Sequence, residues 1–180
     1  MKDLDTIDRQ ILDALQQDGR IALSALARQI GLSGTACTER VRNLEQAGII
    51  TGYTASLSGE AIGLGLLAFI EVSLDRVSTE SFDQFRNAVT RIAEIEECHM
   101  VAGGFDYLLK VRVPDMAAYR RFLGEALASV PGIRQTHSYP VMEEIKTTRA
   151  LSLAHLEHAA SPAGPNPDNR QSPGGAALHP

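Results

Sequence analysis

Residues 24–47 read SALARQIGLSGTACTERVRNLEQA, and this stretch decides the fold of the first part of the chain. Apolar residues recur there at helical spacing, and Gly31 stands where glycine commonly follows the end of a helix. Ser33 can then cap a further helix that runs to about Ala47. A helix, a short turn and a second helix at this spacing predict a helix-turn-helix.

An amphipathic helix precedes this pair. It is predicted from Asp5 to Gln17, with Ile7, Ile11 and Leu15 recurring every four residues on one face. The second helix and its turn can hold the third helix at an angle, so that its N-terminal end enters a DNA major groove. The free backbone N–H groups and the positive dipole of that end attract phosphate.

Candidate DNA contacts therefore lie on the third helix, and the expected partner is double-stranded DNA. Ser33 and Thr35 supply hydroxyl donors at its start, and Arg40 and Arg42 can reach phosphate or a guanine edge. The full candidate set is Ser33, Gly34, Thr35, Thr38, Glu39, Arg40, Arg42 and Asn43.

Charge supports this interpretation only locally. The chain of 180 residues carries a formal net charge of −5, which is not typical of nucleic-acid binding. Residues 20–47 nevertheless contain four arginines against two glutamates. A homodimer that presents two such units to two half-sites would offset the modest charge of one unit.

The segment after the third helix is predicted to be extended. Residues 49–57 read as a strand, because Thr51, Tyr53 and Thr54 favour that conformation. The following Ser-Gly-Glu at 58–60 breaks the strand. We therefore expect a winged-helix-like DNA-binding domain that comprises residues 1–60.

Residues 61–153 are expected to form a second domain. The predicted elements are a strand at 66–74, a helix at 78–92, strands at 95–102 and 107–113, a helix at 116–129 and a strand at 133–142. This order predicts a ferredoxin-like βαββαβ domain, with both helices on one face of an antiparallel sheet. A partner subunit is the natural cover for the other face. The whole chain is thus of the α+β class, and the domain is expected to serve oligomerisation.

The last part of the chain, residues 154–180, has a different composition. Proline, glycine and serine are frequent there and no apolar period is present, so a disordered tail is predicted. 

Several function classes are not expected. The acidic start lacks the features of a secretory signal, and the longest apolar run, 61–70, is about half of what spans a bilayer, so a cytoplasmic protein is predicted. The two cysteines make neither a disulfide framework nor a zinc-site spacing. No acid–base pair or nucleophile surrounds His99, so we expect no enzyme, no metal and no cofactor.

A glycine-rich hairpin is the candidate ligand site. Gly103 and Gly104 separate the second and third strands of the domain, and Asp106 follows them. Glycines allow a ligand to approach the backbone closely, and the Asp106 carboxylate can accept the ammonium group of an amino acid. On the residues alone, an ordinary turn with an ordinary acceptor is the favoured alternative.

The chain resembles the Lrp/AsnC family of transcriptional regulators over nearly all of residues 4–148. The matching stretches are 4–9 (LDTIDR), 18–21 (DGRI), 31–33 (GLS), 39–45 (ERVRNLE), 48–55 (GIITGYTA), 97–99 (ECH), 105–110 (FDYLLK), 113–116 (VPDM) and 141–144 (VMEE). The resemblance implies a DNA-binding domain joined to an amino-acid-sensing domain, dimers that associate further, and activation or repression of genes of amino-acid metabolism.

The resemblance also implies where the effector acts. It adds Met116, Tyr139 and Val141 to the hairpin residues, at a boundary between subunits. Gly104 and Pro140 differ from the residues of leucine-sensing members of the family, and Gly34 stands where proline is frequent. The implied effector is leucine or another small amino acid, with proline, alanine, branched-chain and aromatic amino acids all open.

One alternative function remains at this point. The three helices could serve only to oligomerise a ligand-binding module, without direct contact to DNA. Protection of specific DNA sequences by the protein distinguishes the two functions.

Overall fold

The computed structural model describes residues 4–158, which divide between two compact units. The first unit contains the chain up to Thr54 together with the segment from Thr148, and the second contains Ala55–Thr147. The sequence-based boundaries after residues 60 and 153 lie a few residues later. Contacts explain the difference, because the turn near Gly59 packs on Arg112 of the sheet, whereas Leu153 packs on the helices of the first unit.

The first unit contains the three predicted helices. They are α1 (Thr6–Gln17), α2 (Leu23–Gln29) and α3 (Gly34–Gln46). Asp5 and Asp8 form a capping box at the start of α1, in which each side chain accepts the other's backbone N–H, and Ser33 caps α3. The helices enclose a small core of buried side chains, namely Ile11, Leu12, Ala14, Leu26, Ala27, Cys37, Val41 and Leu44.

The predicted strand at residues 49–57 is wrong, because no strand forms there. Gly48 adopts a left-handed φ of 68°, and the backbone N–H groups of Ile49 and Ile50 return to the carbonyl of Leu44, at 3.0 and 3.2 Å. The chain then continues without ladder hydrogen bonds to any residue that the structure describes. An extended segment with no neighbouring strand cannot form a sheet, whatever its propensity.

The second unit contains a four-stranded antiparallel sheet in the order β2-β3-β1-β4. Its strands are β1 (Leu66–Leu74), β2 (Ile95–Met100), β3 (Tyr107–Val113) and β4 (Ile133–Pro140). The intervening helices are α4 (Thr79–Val89) and α5 (Met116–Arg121). The order confirms the predicted ferredoxin-like βαββαβ arrangement.

Both helices cover the same face of this sheet. Alternate side chains of β1 and β3 point to that face and are buried against Phe85 and Val89 of α4 and Tyr119 of α5. Phe85 stacks on Tyr107 with ring centroids 4.3 Å apart. Neither α4 nor α5 lies on the other face, which we call the open face.

The helix predicted at residues 116–129 is less regular than expected. After α5 the backbone widens into a π-type turn over Phe122–Ala126 and tightens into a 3₁₀ turn over Leu127–Ser129. Phe122 and Leu127 both remain buried in the core. The π-type turn changes the rotation of the helix between them, so that both side chains face the core.

Of the predicted disordered tail, only the first residues belong to the described part of the chain. They include one short helix, α6 (His155–His158). Residues 159–180 lie outside the described residues. Within the described part, no helix is long and apolar enough to cross a membrane.

Candidate nucleic-acid interface and effector region

The helix α3 has two distinct faces. Cys37, Val41 and Leu44 point into the core and are at most 5% exposed. The opposite face consists of exposed residues spaced one and four apart, which places them on one side of a helix. These residues are Gly34, Thr35, Thr38, Glu39, Arg42 and Asn43. The structure thus brings six of the eight predicted DNA contacts together on one exposed face.

The start of α3 is open to a negatively charged partner. Ser33 Oγ accepts the Ala36 N–H at 3.2 Å, which leaves the hydroxyl hydrogen free to donate. A Cβ atom on Gly34 would meet no atom within 4 Å. Thr38 Oγ1 donates to the Gly34 carbonyl at 2.8 Å. Ser33 and the first turn therefore offer donors to phosphate with no side chain covering them.

The two predicted DNA-contacting arginines differ in their surroundings. Arg42 is exposed, and no described residue accepts a hydrogen bond from its guanidinium. Arg40 Nη1 instead donates to Asp5 Oδ2 at 2.7 Å and to Asp8 Oδ1 at 2.9 Å. Both hydrogen bonds raise the pKa of Arg40. Arg42 is free for a nucleic-acid contact, whereas Arg40 is held within the protein.

Tyr53 contacts α3, which its sequence context did not predict. Its hydroxyl donates to Glu45 Oε1 at 3.0 Å, and its ring lies 3.6 Å from where a Cβ atom of Gly19 would be. Burial, and then the Glu45 carboxylate, raise the pKa of Tyr53. Its β propensity was the only visible signal in the sequence, and that signal pointed to a strand rather than to a helix contact.

The predicted effector residues lie beside different parts of β1. At one end, Asp106 follows the hairpin and its N–H donates to the Val72 carbonyl at 2.9 Å. At the other end, the Val141 N–H donates to the Leu67 carbonyl at 2.8 Å, and Tyr139 pairs with Phe69. Along β1, Val72 is five residues or roughly 17 Å from Leu67, and three residues or roughly 10 Å from Phe69. One chain therefore does not bring all the predicted effector residues together.

Met116 lies at the same end of the sheet as Tyr139 and Val141. It begins α5, shortly after Val113, which pairs with Leu66 at the start of β1. Met116 and Tyr139 are 49% and 51% exposed, so neither is committed to the core.

The Asp106 carboxylate already has a structural partner. Its Oδ2 accepts the Leu74 N–H at 2.7 Å and so satisfies the last residue of β1. The Oδ1 atom accepts no hydrogen bond from any described residue and remains available to an ammonium group. Gly103 and Gly104 are exposed, and added Cβ atoms there would meet nothing within 4 Å, so packing does not require glycine at either position.

The open face of the sheet carries a network of ion pairs. Lys110 Nζ lies 3.3 Å from Glu96 and 3.0 Å from Glu97, and Arg112 contacts Glu96 at 2.8 Å and Glu144 at 3.0 Å. Arg112 is only 14% exposed, which is low for an arginine. Among the described residues no group of three or more metal-ligating side chains occurs.

Comparison with known proteins identifies the class to which this fold and these surfaces belong. Residues 4–51 match the family described as winged helix-turn-helix DNA-binding, and residues 67–151 match the Lrp/AsnC ligand binding domain. A helix-turn-helix joined to a ligand-binding domain defines a DNA-binding transcriptional regulator. The leucine-responsive regulatory proteins of Klebsiella pneumoniae and Escherichia coli K12 are each 53% identical to this chain over 152 residues, which cover 84% of this chain and 93% of theirs. The chain belongs to the Lrp/AsnC family of transcriptional regulators.

Solved structures agree with this assignment. A transcriptional regulator from Neisseria meningitidis, in complex with L-Met, superposes with a TM-score of 0.81 and 38% identity over 85% of this chain and 99% of that one. An AsnC family regulator from Agrobacterium tumefaciens superposes with a TM-score of 0.80 and 35% identity, over 84% of this chain and 98% of that one. The predicted regulator function, with an amino-acid effector, is confirmed, and an oligomerisation module without DNA binding is not favoured. Membership of a regulator family also favours a protein that is not an enzyme.

Proposed function

We propose that the exposed face of α3 reads the DNA major groove. The observation that carries this proposal is the clean division of α3 into a buried and an exposed face. Thr35 and Asn43 supply hydrogen-bonding groups for base edges, and Arg42 supplies a charged donor. Ser33 and the open first turn of α3 supply phosphate contacts.

Dimerisation through the open face completes this proposal. Phe69 and Tyr139 pair across two strands of that face, and Leu108 lies in the next row. Tyr139 is exposed and Phe69 and Leu108 are partly exposed, and a second sheet packed face to face would bury them. A symmetric dimer also gives two copies of α3, which two half-sites in DNA require. We also propose that the dimers associate further, as the resemblance to the Lrp/AsnC family implies.

The effector site is proposed to combine residues of different subunits. Asp106, beside Val72, and Val141, beside Leu67, lie too far apart in one chain to hold one small amino acid. Met116 begins α5, on the face of the sheet opposite to that of Tyr139. The free Oδ1 of Asp106 would accept the ammonium group. The named responses of relatives to leucine and the complex of one relative with L-Met support an aliphatic amino acid of that size.

The biological role follows from these parts. The protein would act in the cytoplasm, where its DNA lies, and would activate or repress genes of amino-acid metabolism. Effector binding between subunits would change the assembly or the spacing of the α3 helices. A ligand shifts such an equilibrium only by its difference in affinity for the two states.

Selection of binding sites from a random duplex pool tests the DNA-binding part. We expect an enriched sequence with two related half-sites centred about one helical turn, roughly 10 base pairs, apart. Hydroxyl-radical footprinting should then show protection on one side of the duplex. Recovery of a single half-site, or of no consensus, would contradict the proposed dimeric arrangement.

A thermal-shift screen against the twenty amino acids tests the effector part. A ligand at 100 times its Kd stabilises the folded state by about 2.7 kcal/mol. Leucine or methionine is expected to give the largest shift. Asp106→Asn keeps an acceptor for the Leu74 N–H but loses the charge, so it should abolish the shift without changing the melting temperature of the free protein. Asp75→Asn, which removes the charge of an exposed aspartate outside the hairpin, is the control.

A further inference from the structure

Arg40 joins the proposed recognition helix to the start of the first helix. A single nitrogen, Nη1, donates to both Asp5 and Asp8, at 2.7 and 2.9 Å. These two carboxylates are the pair that forms the capping box of α1. One guanidinium group therefore connects α3 to the capping box of α1.

The two aspartates divide their oxygens between two tasks. Asp5 Oδ1 accepts the Asp8 N–H at 2.8 Å, and Asp8 Oδ2 lies 3.4 Å from the Asp5 N–H. The remaining oxygen of each carboxylate accepts from Arg40. Every carboxylate oxygen of the capping box thus has a partner, and Arg40 supplies half of them.

Burial makes this contact more than a surface ion pair. The Asp8 side chain is only 9% exposed and that of Arg40 is 35% exposed. An isolated exposed pair contributes little, but a buried carboxylate needs its partner because water cannot replace it. The two hydrogen bonds also fix the orientation of the Arg40 side chain, whose Nη1 points toward α1 and away from Thr35 and Arg42 on the exposed face.

We propose that Arg40 is a positioning residue, which sets the orientation of α3 against α1 and does not itself contact DNA. This inference rests on the proposed role of the exposed face of α3. It assigns Arg40 and Arg42, two residues apart, to different tasks. It also gives the buried Asp8 a task in DNA recognition although the carboxylate never meets DNA.

The dependence of binding on salt separates the two tasks. Each phosphate contact releases counterions and contributes about 0.9 to the slope of log K against log salt. Arg42→Gln should therefore lower the magnitude of the slope by about one. Arg40→Gln should weaken binding on the order of tenfold, since a displaced helix loses base contacts, but should keep the slope of the parent.

A second-site variant tests the mechanism itself. Arg40→Gln leaves the buried Asp8 carboxylate without its charged partner, and Asp8→Asn in the same chain removes that charge. The double variant should recover most of the lost affinity, whereas a missing phosphate contact cannot be recovered at Asp8. Arg86→Gln is the control for loss of an arginine charge, because its ion pair with Asp83 is exposed and lies in the other unit.

The experiment is a titration of the full-length chain with its selected duplex across a salt series, for the parent and these four variants. If Arg40→Gln is too unstable to measure, the slope of log K against log salt of the double variant shows whether Arg40 contacts phosphate. A parental slope with recovery supports the positioning role. A slope reduced by about one in Arg40→Gln or in the double variant, with no recovery, would overturn it. An unchanged slope in Arg42→Gln would count against the proposed DNA face while leaving the result for Arg40 readable.

Discussion

Gln16 on α1 holds the backbone of Leu151, 135 positions further along the chain, by two hydrogen bonds. Its Nε2 donates to the Leu151 carbonyl at 3.1 Å, and the Leu151 N–H donates to its Oε1 at 2.6 Å. Leu153 packs on the core of the same helices. The segment after the sheet domain is therefore a structural part of the DNA-binding unit.

This pair gives the first prediction. Gln16→Ala removes both hydrogen bonds and should lower the free energy of unfolding by about 1 kcal/mol. Hydrogen exchange should localise the faster opening to α1 and to residues 150–153. Gln17→Ala, the exposed neighbour, is the control. Equal protection of α1 in the parent and in both variants would contradict the structural role of Leu151.

Two glycines of the helix-turn-helix should respond oppositely to alanine. Gly31 has a φ of 72°, where an L side chain is strained, so Gly31→Ala should destabilise by roughly 1 kcal/mol or more. Gly34 starts α3 without a positive φ and has open space around it, so Gly34→Ala should stabilise by about 0.5 kcal/mol. Urea unfolding followed by far-UV circular dichroism measures both changes. Two effects of the same sign would be inconsistent with the described turn.

Gly59 lies where the chain crosses the open face of the sheet. A Cβ atom there would be 2.7 Å from Arg112 Nη1 and 3.0 Å from the Leu64 carbonyl. The Arg112 guanidinium cannot move away easily, because Glu96 and Glu144 hold it. Gly59→Ala should destabilise by roughly 1–3 kcal/mol, as overpacking does. Gly103→Ala is the control, because Gly103 has open space around it and no positive φ. Gly63 also has open space, but its φ of 81° would strain an alanine. A neutral Gly59→Ala would refute the close approach.

The ion pair of Lys110 and Glu97 predicts a pH dependence. The hydrogen bond from Lys110 lowers the pKa of Glu97 below its usual 4.5, and the hydrogen bond to Glu97 raises the pKa of Lys110 above its usual 10.5. A lowered carboxyl pKa stabilises the fold above about pH 4.5, and this stabilisation is lost as the pH falls through the folded-state value. The Lys110 contribution is present below about pH 10.5 and is lost above it. The pair therefore contributes a constant amount between these limits.

Urea midpoints measured from about pH 6 down to about pH 3 test this prediction. The parent should lose stability more steeply than Lys110→Met, in which Glu97 has no lysine partner. Parallel curves for the two proteins would show that the pair does not contribute. Lys146→Met, which removes an exposed lysine outside the sheet, controls for the change in net charge.

The secondary structure was largely readable from local signals. Gly31, Ser33 and the apolar periods fixed the helix-turn-helix, and alternation in β1 and β3 fixed the sheet. The segment at 49–57 was misread because strand propensity says nothing about whether a neighbouring strand exists. The π-type turn after α5 was missed because only tertiary packing decides how Phe122 and Leu127 reach one core.

The candidate sites were readable only in part. The third helix and its candidate contacts, Thr35, Thr38 and Arg42 among them, were predicted from the sequence, but their common face came from the structure. The partners of Arg40 could not be seen, because Asp5 and Asp8 lie more than thirty residues away and nothing local marks the contact. Similarly, the separation of Asp106 from Tyr139 depends on strand register, which the sequence does not state.

Sequence-specific binding of DNA by the exposed face of α3 is the property to measure. The ratio of Kd values for the selected duplex and a scrambled duplex should be determined for the parent and for a variant with Thr35, Arg42 and Asn43 replaced by alanine. The ratio should fall at least about tenfold in the variant, since base contacts are worth about 1–3 kcal/mol each, and the melting temperature should not change. A variant that discriminates between the two duplexes as well as the parent does would contradict this role of the exposed face of α3.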